Sequence, residues 1–233
     1  MSDIKNIYLE IRRQIIEHEL RPGQKLNQRV LAELFGTSST PVIKALHRLS
    51  SEGLVDTIPN RGFIVHSSNV KELEDLYELR EALEVTAVAD LTELSKEEID
   101  RIADELQKML DRMDVNDPVQ YRKMDVAFHN HIINSSSNEM LKSINETHQI
   151  LNRTYLPGLL RDPSSTIEEH QKIIEYLREG DKEALMQTMR THISVTKTTI
   201  SKLVKRLQWV GLNPRSILVN ELDGKNLSGA EEL

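Results

Sequence analysis

The sequence predicts a mainly α fold in two parts: an N-terminal winged helix-turn-helix over residues 1–66 and an all-helical bundle of about six helices over residues 70–208. Three observations predict it. Apolar residues recur at helical spacing through most of the chain. Two β-prone runs, "LVDTI" and "GFIV", lie close together in the first 66 residues, joined by "PNR" as a hairpin with a tight loop. A short polar linker, "SSN" at 67–69, then separates that hairpin from an unbroken succession of helical patterns.

Ile4, Ile7, Tyr8, Ile11 and Ile15 form the first helical stripe, and "RPG" stops it because its proline and glycine force a turn. Leu26 and Leu31 straddle Asn27 as a hydrophobic staple around an N-cap, starting a helix of about two turns through "QRVLAELF" that Gly36 ends. In "TSSTPVIKALHRLSSEG" the hydroxyls offer N-caps and the proline falls in the first turn. Val42, Ala45, Leu46 and Leu49 share one face, and Gly53 terminates the helix. Three helices plus a hairpin make a winged helix-turn-helix. The pattern alone also fits a small α+β domain with no nucleic-acid role.

In the second part the helices are expected at about 70–91, 96–113, 117–134, 138–157, 166–179 and 182–208. Ser95 with Glu98 and Thr166 with Glu169 read as capping boxes, and Asp181 after Gly180 marks the last start. Residues 209–233 lose the period and are rich in Gly, Asn and acids, as expected of a flexible tail.

With 38% apolar and 29% charged residues, the 233-residue chain has a globular composition. No apolar run approaches the roughly 20 residues of a membrane span, and the amphipathic, acid-bearing first helix is unlike a signal peptide. A cytoplasmic protein is expected. The absence of cysteine excludes disulfides and thiolate metal sites, so a metal would be held by nitrogen and oxygen. The net charge of −7 is uneven: residues 1–66 hold nine Lys/Arg against seven Asp/Glu, which is +2, leaving −9 elsewhere. That balance argues against indiscriminate polyanion binding but leaves room for one basic face.

Several polar residues fall on apolar helix faces. His129 aligns with Val126, Ile132 and Ile133, and Asp125 lies one turn behind it. His170 aligns with Ile167, Ile174 and Leu177, and His192 with Leu185 and Met189. Arg80 interrupts the series Leu73, Leu76, Leu83, Ala87. One inward histidine is ordinarily a hydrogen-bonded core residue. Several together, each costing about 1–3 kcal/mol if left unpaired, are explained more economically by a shared divalent cation. His131 points to another face, and His18, His47, His66 and His148 lack the inward alignment. Neutral imidazoles and one carboxylate suit zinc, nickel, manganese or iron as divalent ions. The four ligands would either close a tetrahedral structural site or leave positions for water or a small anion. Arg80 would then offer a bidentate fork to a carboxylate; the plainer alternative is a salt bridge to Glu84, one turn on, with its stem along the core.

These residues resemble the GntR-type transcription regulators of the FadR subgroup, with an FCD ligand-sensing domain, over about residues 5–207. In the first part the resemblance rests on "LRPGQKL", "LAELFGTSSTPVIKALHRLSSEGLV" and "PNRGFIV". In the second it rests on "LYELREALE", "DVAFHNHII", "EEHQKIIEYLREGDKEAL" and "RTHI". It implies an FCD-type bundle and a homodimer that binds a palindromic double-stranded operator DNA, with affinity shifting when a small organic acid enters the bundle. Asp125, His129, His170 and His192 match the family's metal ligands, and Arg80 matches an arginine that often lines the effector pocket. Members that sense fatty acyl-CoA lack the metal set, so that ligand class is not expected.

Arg29, Ser38, Thr40, Arg61 and Gly62 match the family's DNA-contacting positions. Ser39 and Ile43 stand where similar proteins usually carry arginines, and Lys44 replaces a usual acid. Two missing arginines remove guanine contacts of about 1–3 kcal/mol each, so a different half-site is expected. Ile43 would touch thymine methyls or, alternatively, pack against the second domain. The expected roles are phosphate attraction by Arg29, Lys44, Arg48 and Arg61, and contacts to base edges or backbone by Ser38, Ser39, Thr40 and His47. Two rivals remain open. One is a metal-dependent hydrolase or lyase on the bundle, which needs a general base beyond Asp125. The other is a constitutive DNA binder with a structural metal.

Overall fold

A computed structural model describes residues 2–17, 19–59, 61–148 and 162–209. The chain divides into two compact units, the first formed mainly by Met1–Ser68 and the second opening at Asn69.

The first unit runs α1 (Ser2–Ile16), β1 (Lys25–Leu26), α2 (Gln28–Leu34), α3 (Ser39–Ser51), β2 (Val55–Ile58) and β3 (Gly62–Val65). Ile7, Tyr8, Ile11 and Ile15 of α1 are buried together with Val42, Ala45, Leu46 and Leu49, the apolar face of α3. Asn27 caps α2 as expected, its side chain accepting from the backbone N–H of Arg29 and Val30. Gly53 ends α3 with φ +73, a left-handed conformation that side chains disfavour. The hairpin forms, with Thr57 opposite Phe63, and a third strand joins it on the far side of β3, giving the order β1-β3-β2. That strand is a departure from the expected hairpin. Two residues are too few to show an alternating pattern, yet Lys25 pairs with Ile64 and Leu26 with Phe63.

The second unit is helical among the described residues: α4 (Val70–Leu91), α5 (Lys96–Leu110), α6 (Pro118–Ser135), α7 (Glu139–His148), α8 (Pro163–Glu179) and α9 (Lys182–Trp209). α4 packs on α6 and α9, while α5 packs on α6 and α8, and α8 on α9. Leu91, Leu106, Phe128, Ile132, Ile133, Ile173 and Ile174 are the largest fully buried side chains at their meeting point. The Ser95–Glu98 capping box forms with both reciprocal bonds.

The expected Thr166–Glu169 box does not form. α8 starts one turn earlier, at Pro163, with the Asp162 side chain accepting from the Ser164 N–H. An acid followed by proline at the first helical position outcompetes the threonine, and Glu169 is left to bond elsewhere. α5 also ends at Leu110 rather than 113, closed by Asp111. The expected helical stretch 149–157 and the tail beyond Trp209 lie outside the described residues.

Candidate functional site

Helical periodicity brings the polar residues of three helices to one point. α6 contributes Asp125 and His129, α8 contributes His170 and α9 contributes His192, and all four are buried. The Nε2 atom of His129 lies 3.2 Å from that of His170 and 3.2 Å from that of His192. Asp125 Oδ1 stands a little farther out, 3.6 Å from His170 Nε2 and 3.9 Å from His129 Nε2. The His170 ring stacks on Phe128 at 4.3 Å between centroids, which fixes its plane.

Carboxylates stand behind two of the imidazoles. His129 Nδ1 bonds Glu84 Oε2, and His192 Nδ1 bonds Glu169 Oε2 at 2.7 Å. An ionised carboxylate only accepts, so each Nδ1 carries the proton and each Nε2 is left with its lone pair. Burial pushes the His129 imidazole well below its ordinary pKa, with the positive charge of Arg80 and the neighbouring His192 adding to the effect. Burial lowers His192 as well, against the pull of Glu169. Two neutral rings thus aim lone pairs at each other across 3.2 Å, which is repulsive unless a cation sits at their meeting point. Nitrogens about 2.0–2.1 Å from a tetrahedral ion stand roughly 3.3 Å apart. The donor set and its spacing fit a divalent ion held by nitrogen and one oxygen.

Glu84 and Glu169 are absent from the sequence-predicted site. Glu84 has a signal, because it shares the inward face of α4 with Arg80, but at four residues' distance it reads only as that arginine's partner. The salt bridge does form: the buried Arg80 donates through Nε to Glu84 Oε1. The fully buried Glu84 therefore divides its two oxygens between Arg80 and His129. Of the other histidines, His131 Nε2 lies 3.1 Å from Glu105 Oε2 and His66 pairs with Asp56 at 2.9 Å, and neither belongs to the cluster. His18 and the His148 side chain lie outside the described residues.

In the first unit, α3 opposes its buried stripe with an exposed face bearing Thr40, Lys44, His47 and Arg48. Ser38 is the exposed N-cap of α3 and makes no side-chain capping bond, and the half-buried Ser39 follows it. Arg29 is exposed on α2; Arg61 is exposed in the β2–β3 turn and Gly62, the first residue of β3, is half-buried. The His47 ring meets Phe63 of β3 edge-on at 5.0 Å. Ile43 is half-buried and packs on the core of its own unit, so neither of its expected partners is needed to explain it. Arg48 is engaged from behind: its Nε lies 3.4 Å from Glu52 Oε1 and its guanidinium 3.9 Å from the centre of the Tyr8 ring.

Comparison with known proteins assigns a family to each unit. Residues 75–195 match the FCD domain, and residues 3–65 match the bacterial regulatory proteins of the gntR family. An HTH-type transcriptional regulator in an unstable DNA locus of Streptomyces ambofaciens is 29% identical over 203 residues, 85% of each chain. The gluconate operon transcriptional repressor of Bacillus subtilis (strain 168) is 23% identical over 206 residues, 83% of each chain. Among solved structures, McbR/YncC of E. coli shares the fold with a TM-score of 0.69 at 24% identity, covering 87% of this chain and 99% of the other. The gntR family is one of regulatory proteins and both relatives are named as transcriptional regulators, which leaves the hydrolase or lyase alternative without support.

Proposed function

We propose a metal-dependent ligand switch for this chain, which belongs to the gntR family of bacterial regulatory proteins and carries an FCD domain. As a DNA-binding transcription regulator, it would act in the cytoplasm as a homodimer on a palindromic operator, with a small organic acid as its signal. The reading rests on one observation, the convergence of three buried imidazole nitrogens, two of whose rings are backed by carboxylates.

Asp125, His129, His170 and His192 would hold the ion, while Glu84 and Glu169 orient two of the rings. A divalent ion there supplies a Lewis-acidic centre for an anionic oxygen. The remaining work falls to protein side chains. Arg80 presents a buried positive charge to a carboxylate, and Glu84, already bound to it, competes with that incoming anion. A carboxylate that displaces Glu84 alters what α4 contacts on one side and what His129 contacts on the other, which gives the ligand different contacts in two packings of the bundle. The gluconate operon of the Bacillus subtilis relative agrees in chemistry, since gluconate is a small polar carboxylate.

On the DNA side, Arg29, Lys44 and Arg61 would attract phosphates, and Ser38, Ser39, Thr40 and His47 would meet base edges or backbone at the exposed start and face of α3. The test is a thermal-shift screen of small organic acids with and without added zinc, nickel, manganese or iron. An acid that raises the melting temperature only in the presence of metal is expected. Stabilisation by the acid alone, with metal making no difference, would reject the reading.

A further inference from the structure

Glu52 occupies a place where an acid is unfavourable on two counts. It is the C-cap of α3, where the negative end of the helix dipole repels a carboxylate, and it is 8% exposed. A residue that breaks two local rules at the end of a recognition helix calls for compensation. Three side chains supply it. Tyr8, buried on α1, donates its hydroxyl to both Glu52 oxygens at 2.8 and 3.0 Å. Arg12, one turn further along α1, places Nε 3.8 Å from Oε2. Arg48, one turn before Glu52 on α3, places Nε 3.4 Å from Oε1 and lays its guanidinium over the Tyr8 ring at 3.9 Å.

Arg48 is therefore held from two directions, by a buried carboxylate and by an aromatic face, although 59% of its side chain is exposed. An ion pair between two exposed groups contributes little. A pair to a buried carboxylate is different, because releasing the arginine would leave that charge desolvated and underpaired. Arg48 also sits in the last turn of α3, whereas a recognition helix reads bases mainly through its N-terminal residues.

We infer that Glu52 is a positioning residue for operator binding: with Tyr8 and Arg12 it clamps the C-terminal end of α3 to α1, and it retains Arg48 as part of that clamp rather than as a phosphate contact. The clamp sets the tilt at which Ser38, Thr40 and Lys44 are presented, so it acts on specificity without touching DNA. This assignment is independent of the histidine cluster in the second unit.

The test uses the full-length protein and a duplex recovered by the wild-type chain from a random-sequence pool, with an unrelated duplex of the same length as reference. Affinity for both is measured across a KCl series, where each phosphate contact contributes about 0.9 to the slope of log K against log salt. Arg48→Ala alone should leave that slope unchanged, while Arg29→Ala should flatten it by about 0.9. Glu52→Gln should free Arg48, steepen the slope by about 0.9 and lower the ratio of selected to unrelated affinity at least tenfold. Adding Arg48→Ala to Glu52→Gln should remove the extra slope. A loss of about 0.9 in slope for Arg48→Ala in the wild-type background makes Arg48 a phosphate contact and overturns the inference. An unchanged slope and specificity ratio in Glu52→Gln overturns it as well. If Glu52→Gln does not fold, the exposed Arg48→Ala variant decides the matter.

Discussion

Glu84 on α4 and His129 on α6, forty-five positions apart, meet at the imidazole Nδ1, and the carboxylate's other oxygen holds Arg80. Replacing Glu84 with Gln keeps the shape of the side chain but removes the charge that makes the histidine a stronger base. Metal affinity should fall about 10–100-fold, read by competition with a chromogenic chelator. Unchanged affinity would mean that the carboxylate serves Arg80 alone.

His170 is fully buried, with its Nε2 in the cluster and its ring against Phe128. His170→Ala is expected to lower both bound metal in the purified protein and the metal-dependent response to an organic acid. Elemental analysis and thermal shift check the two separately, and normal values for both would remove His170 from the ligand set.

Chelation is expected to destabilise the second unit. A ligand present at a hundred times its dissociation constant contributes about 2.7 kcal/mol, so protein stripped with a chelator should melt several degrees lower and recover when zinc or nickel is restored. Melting curves that superimpose would rule out tight binding at these residues.

Phe128 is 0% exposed in the bundle core. Phe128→Ala should cost about 3–5 kcal/mol, measured as a lower urea midpoint. Because the ring also braces His170, metal affinity should weaken in the same variant. A stability loss with intact metal binding would show that His170 is held by other contacts.

Asp90, at the end of α4, accepts from the Ser136 hydroxyl and from the backbone and hydroxyl of Ser137. Those bonds, with Ser136 foremost, hold its carboxyl below the usual range. A depressed folded-state value means that the stabilisation is present above the unfolded value of about 3.9 and is lost as pH falls through the lower folded one. Asp90→Asn should therefore be less stable than wild type by about 1 kcal/mol at pH 6, the group being partly solvated. The two should converge as pH falls below the unfolded value and through the lower folded one, as urea midpoints across an acid series would reveal.

The inward turn of His129, His170 and His192 is legible in the sequence because a period of 3.6 fixes which residues share a face. The carboxylates behind them are not. Glu169 sits beside His170 in a run that reads as a capping box, and only the position of α9 shows that it reaches His192. β1 escapes for want of length, and the packing of Ile43 on the core of its own unit is not signalled by the pattern around it. The clamp at Glu52 joins residues forty-four positions apart through a hydroxyl that the helical pattern of α1 reports only as apolar surface. Periodicity assigns faces; it does not say which polar atoms meet across them.

Arg80 and Glu84 ride on α4, and α4 begins at Val70, just beyond the wing strand that closes at Val65. The four intervening residues span at most about 14 Å when fully stretched. Anything that grips that guanidinium or its carboxylate therefore acts on the first helix after the linker, the element with which the second unit opens.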